Sequence, residues 1–144
     1  MRSRRSERKW KRCSRRERQA DMQNLMLIAS GGLGVFACIA HAWLGERFIL
    51  RPLYAEGAST ILKNPRTRDL VRAVWHIPSA AWGILGALLI YASMTSATAP
   101  LLSYAAAGVF LVSGLANFAA LRRAHIGAVV LISAAALALA GHWA

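Results

Sequence analysis

Apolar residues along the chain fall into four long blocks separated by polar stretches. The blocks are Leu25–Leu44, Ala73–Ser93, Leu101–Leu121 and Ile126–Trp143. None contains Asp, Glu, Lys or Arg. Each is close to the roughly 20 helical residues needed to cross a hydrocarbon layer of about 30 Å. Lipid offers no partner for backbone N–H and C=O groups, so a helix is the form such a segment takes. The pattern predicts an all-α membrane protein, with four transmembrane helices in an antiparallel bundle over residues 22–144. Aromatic rings should mark the two boundaries, with Trp43, Tyr54 and Trp75 at one and Tyr91, Tyr104 and Trp143 at the other.

Composition sharpens this picture. The chain has 144 residues, is 56% hydrophobic and carries a formal net charge of +12. Residues 1–21 hold ten Lys/Arg and three acids. This first segment has almost no apolar content, which predicts a disordered basic tail. One aromatic, Trp10, and no recognition fold argue against a nucleic-acid role. The tail is read instead as a contact for anionic lipid, where each Lys or Arg near a charged leaflet gains about 1 kcal/mol. Cys13 and Cys38 are too few and too far apart in character for a disulfide framework or a zinc knuckle.

The connections are unequal. Gly45–Arg72 is long, with six Lys/Arg against three acids, and Pro52 is expected to end the extension of the first helix. Ser93–Pro100 is short and uncharged, and Arg122-Arg123 makes a tight third connection. Eight Lys/Arg thus lie on the side of the first and third loops, against the tail's ten on the other. The positive-inside rule conflicts with itself for such a chain. A functional start at Met22 removes the conflict, leaving both termini periplasmic and the first and third loops cytoplasmic.

Small residues recur at helical spacing. Gly31, Gly34, Cys38 and His41 share one face of the first helix, and His76, Ala80, Gly83 and Ala87 one face of the second. Small faces let transmembrane backbones approach closely. The expected contact is Gly31/Gly34/Cys38 against Ala80/Gly83/Ala87. His41 and His76 then sit at matching depth near one boundary, with Glu46, Arg72, Asn117 and His125 at the same end. At least one histidine is expected to hydrogen-bond across the first two helices.

Intramembrane polar groups are by default functional candidates. His at a helix end and Asn within a span are also ordinary interhelical glue. The preferred reading is a non-enzymatic structural, accessory or interaction protein with no cofactor, whose partners are the bilayer and either itself or another membrane protein. One alternative is a membrane redox or metal-binding protein in which His41 and His76 hold a haem, or these two with Glu46 hold a divalent metal. No HExxH-type spacing supports the metal, and close glycine faces leave little room for a porphyrin. A second alternative is a small oligomeric transporter or channel, although deeper polar groups are limited to hydroxyls such as Ser30 and Ser133. No triad, P-loop or dinucleotide fingerprint is present.

HAWLGERFILRPL (residues 41–53) followed by LVRAVWHIPSAAW (70–82) carries a resemblance. The succession of His, Gly-Glu-Arg, an apolar triplet, Pro-Leu, then Arg, Trp-His and Ser resembles small four-helix bacterial membrane proteins of no assigned activity. It covers the first two helices and their loop, while the second half is similar only in hydropathy. The resemblance implies a bacterial inner-membrane location and draws attention to His41, Glu46, Arg72, Trp75 and His76. Small multidrug exporters are also four-helix chains, but their coupling glutamate lies within the first membrane helix, where this chain has no acid.

Overall fold

The computed structural model describes residues 4–55, 61–95, 100–123 and 125–143. Positions 1–3 of the expected tail, 56–60 of the first loop and 96–99 of the second lie outside the described residues. The described residues form helices joined by short turns. Helix α1 spans Arg4–Gly45, and a π-helical turn over Glu46–Leu50 joins it to the short α2, Arg51–Ala55. A 3₁₀ turn at Ile61–Lys63 leads into α3 (Pro65–Met94), followed by α4 (Pro100–Leu121) and α5 (Ile126–Trp143). Four segments are long and apolar enough to cross a membrane: the α1–α2 rod, α3, α4 and α5.

Residues 4–21 are helical, against the disorder read from their composition. Starting a helix is the costly step, because the first turn fixes several residues for one hydrogen bond. Here the apolar part of α1 already supplies that nucleus. Each residue added in front of it gains a bond at the lower cost of propagation. Arg, Lys, Glu, Gln and Ala are good helix formers, and neither Gly nor Pro occurs before Gly31. Ser14 donates to the carbonyl of Lys11, and the Cys13 thiol to Glu17 Oε1 four residues on.

Pro52 does not end the first helix. A proline inside an α-helix removes a donor and crowds the carbonyl four residues back. The chain widens instead into a π turn just before it, where the N–H of Arg51 reaches the carbonyl of Glu46. The helix then continues through Pro52 to Ala55. Asn64-Pro65 starts α3 eight residues before the apolar block. The Asn64 side chain caps the helix by accepting from the N–H of Arg66 at 3.0 Å, and Pro65 occupies the first turn, where its missing N–H costs nothing. Much of the expected first loop is therefore helical hairpin. At the third connection Arg122 takes a left-handed conformation, φ 49°.

The most extensive contacts join α1 to α3, then α4 to α5 and α1 to α5, while α3 touches α4 more lightly. Phe110, Leu89, Leu131, Ala106, Ala134 and Ala138 form the sealed centre. Ser30 is fully buried there and donates to the carbonyl of Ala134 at 2.7 Å, tying α1 to α5. Gly141 lies against Gln23 and Leu27, and Gly114 against Ala128 and Ile132. Outside this centre, large side chains such as Leu101, Ile126, Ile84 and Val112 point outward. Such a surface suits lipid rather than water.

Candidate functional site

The site begins with the contact between α1 and α3. A methyl on Gly31 would come within 2.5 Å of the carbonyl oxygen of Gly86, and the reverse substitution meets the same limit. Gly34 faces the carbonyl of Trp82 and the ring of Phe110, and Gly83 faces Cys38. The backbones touch because no side chains intervene. The Gly31, Gly34 and Cys38 face of α1 thus meets α3 through Trp82, Gly83, Gly86 and Ile90. Ala80 and Ala87, expected in this contact, are exposed on the outer side of α3. Small residues in α3 fit two stripes equally well, Ala80–Gly83–Ala87 and Ser79–Gly83–Gly86. The one used buries the Ser79 hydroxyl and the Trp82 indole, both of which find polar partners across the helices.

Two turns beyond Gly34, His41 is half-buried among α3 side chains. Its Nδ1 lies 2.8 Å from Ser79 Oγ, giving the cross-helix histidine bond. The ring lies flat on Trp75, with centroids 4.7 Å apart and planes 8° off parallel. Trp82 meets it edge-on at 5.1 Å. Trp82 Nε1 in turn donates to Ser113 Oγ on α4 at 3.0 Å, carrying the connection to a third helix. Trp75, expected as a boundary anchor, is instead packed between His41 and the bare backbone of Gly45. Any side chain at position 45 would collide with its indole. The buried Trp75 Nε1 has no hydrogen-bond partner among the described residues.

A second cluster lies at the π turn. Glu46 Oε1 accepts from Arg72 Nη2 at 3.0 Å, and its Oε2 is 3.8 Å from His76 Nε2. Arg51 approaches the same carboxylate at 4.0 Å. Farther along the hairpin, the Tyr54 hydroxyl donates to the carbonyl of Arg68, and the guanidinium groups of Arg68 and Arg72 lie over the Tyr54 ring. Arg68 also donates to the carbonyl of Leu62.

The expected polar layer is thus divided. His41 is held by Ser79 and two indoles, whereas His76 faces Glu46. Asn117 donates within its own helix to the carbonyl of Ser113, 3.3 Å away. His125 is exposed and accepts from the N–H of Gly127 at 3.1 Å, at the start of α5. Neither joins the histidines, because each turns its polar atoms back to local backbone. Among the described residues, no group of three or more His, Cys, Asp or Glu is placed to hold a metal ion. Spacing does not predict the cross-helix bonds of Ser79, Trp82 and Ser113. Their signal was polarity inside an otherwise apolar block.

Chemically, the His41 cluster positions one imidazole by stacking and one hydrogen bond, and the Glu46 cluster neutralises one carboxylate among three basic groups. Comparisons with family models, curated proteins and solved structures gave no match to this chain.

Proposed function

We propose that the chain is an antiparallel four-helix protein of a bacterial inner membrane, with a non-enzymatic structural or interaction role. In this reading the polar residues at the α1–α3 end lock the helices together. The observation that carries it is the setting of His41. Its ring is covered by two indoles and its Nδ1 is engaged by Ser79, an arrangement that fixes a side chain rather than presenting it to a ligand. Glu46 extends the lock past the boundary by joining α1 to Arg72 and His76 of α3. The outward apolar surface serves the bilayer. Gly32 and Gly108, each with open space where a side chain would be, leave room for a second copy or another membrane protein to approach.

The test is purification of the full chain from membranes, followed by a visible spectrum, metal analysis and identification of copurifying proteins. A structural role predicts no Soret band, no stoichiometric metal, and retention of a defined protein partner or a homo-oligomer. A haem band, or metal lost together with His41 or His76, would establish the redox or metal reading in its place.

A further inference from the structure

The helical form of the tail sorts its charges. Nine Lys/Arg lie between positions 4 and 18 of α1. At about 100° per residue, all nine positions fall within one half of the helix circumference. Lys11, Arg12, Arg15, Arg16 and Arg18 are exposed there, and four of them, with Gln19, line a shallow groove. The acids Glu17 and Asp21 lie on the other half, with Trp10, Cys13 and Ser14, and the helical repeat places position 7 there too. Among the described residues, every ion pair within 4.0 Å involves Glu46, and none involves Lys11, Arg12, Arg15, Arg16 or Arg18.

We propose that this basic face of α1 docks duplex DNA through its phosphates, without regard to base sequence. A disordered tail would present its cations in all directions; a helix aligns them. From position 4 to 18 the rise is about 21 Å, or roughly one positive charge per 2.3 Å. Duplex DNA carries one negative charge per about 1.7 Å of axis, a comparable linear density. The positions form two ridges, one through 4, 8, 11, 15 and 18 and another through 5, 9, 12 and 16. A helix about 10–12 Å across, with cations on two ridges, matches a major groove about 12 Å wide with phosphates on both walls. The corresponding groove of duplex RNA is too narrow and deep for such an entry.

A bilayer fits this face less well. A helix lying on a membrane needs a continuous apolar side opposite its charges, and this opposite side mixes Trp10 and Cys13 with Glu17, Asp21 and Ser14. If α1 keeps its direction as it leaves the bilayer, Arg18 is about 10 Å and position 4 about 31 Å beyond Leu25. Most of the stripe would then lie past the roughly 8 Å over which a charged surface acts in physiological salt. Docking requires the chain that keeps residues 1–21, rather than one starting at Met22, with its amino terminus cytoplasmic; the tail's ten Lys/Arg against the eight of the loops are compatible with that orientation.

The test uses the full chain in nanodiscs of zwitterionic lipid, with two fluorescent duplexes of unrelated sequence read by anisotropy. Both should bind with equal affinity, weakening at least about a hundredfold as salt rises from about 50 to about 200 mM. A rearranged variant combining Arg12→Ala with Ala20→Arg and Arg16→Ser with Ser14→Arg keeps the composition but moves two cations off the face. It should bind at least about tenfold more weakly, with a shallower salt slope. Undiminished binding by that variant would show that net charge suffices and would overturn the proposal. So would absence of duplex binding at low salt, or its loss when the disc contains anionic lipid, which would assign the stripe to the bilayer.

Discussion

The two charged ends of the molecule dispose of their cations in different ways. At the hairpin end, Arg72 and Arg51 turn to Glu46, and Arg68 is spent on the Leu62 carbonyl and the Tyr54 ring. At the amino-terminal end, Lys11, Arg12, Arg15, Arg16 and Arg18 are displayed on one exposed side of a helix. Similar residue types thus do different work. Two helices side by side give the hairpin charges partners within the chain, and a single helix extending past its neighbours cannot. The difference teaches that the charges gathered at Glu46 and Tyr54 belong to the fold, while charge at the tail end is available to something outside it.

Substitutions break this comparison with different force. The largest effect is expected where backbones touch. Gly86→Leu should force α1 and α3 apart and lower stability in detergent by about 1–3 kcal/mol, the usual cost of overpacking. Even Gly31→Ala should destabilise, since its methyl would meet the Gly86 carbonyl. Gly32→Ala, one residue away in open space, should be neutral or stabilising by up to about 1 kcal/mol from helix propensity alone. Thermal melts of the three variants check this, and equal melting temperatures would deny the close seam.

The Glu46–Arg72 pair comes next. It is partly exposed, with Arg72 46% and Glu46 28% accessible, so solvent weakens it. A double-mutant cycle of Glu46→Gln and Arg72→Gln should give a coupling of about 0.2–1 kcal/mol, falling as salt rises. A coupling of zero would leave the hairpin charges as free as those of the tail. Smallest of all, Ala80→Leu and Ala87→Leu should change stability by less than about 0.5 kcal/mol, because both face outward. Large losses there would return these residues to the helix contact.

Much of the fold was legible because lipid imposes a length and forbids charge, and four blocks obey both demands. The end of α1 was harder to read. Pro52 ordinarily stops a helix, and only a change of helical pitch over Glu46–Leu50 lets the chain pass it. Composition points to a disordered tail because it leaves out the covalent neighbour: these residues would not fold alone, but they extend a helix that already exists. At the site, His41 and Glu46 stood out as polar residues near an apolar boundary. Their partners were less visible. The register of α3 against α1 depends on whether Ser79 or Ala80 turns inward, and residue size alone does not distinguish them. Asn117 and His125 lay at the expected end of the molecule, but depth in a membrane says nothing about which way a side chain turns.

The most direct test of the lock is a comparison of His41→Gln with His41→Leu in the full chain, measuring thermal stability, visible spectrum and metal content together. If His41 serves to join the helices, Gln retains a polar group for Ser79 and should cost less. Leu should cost about 1–3 kcal/mol more, because it strands the buried Ser79 hydroxyl, and neither variant should lose a bound species. Equal damage from both, accompanied by disappearance of a metal or a haem band, would contradict the lock and make His41 a ligand.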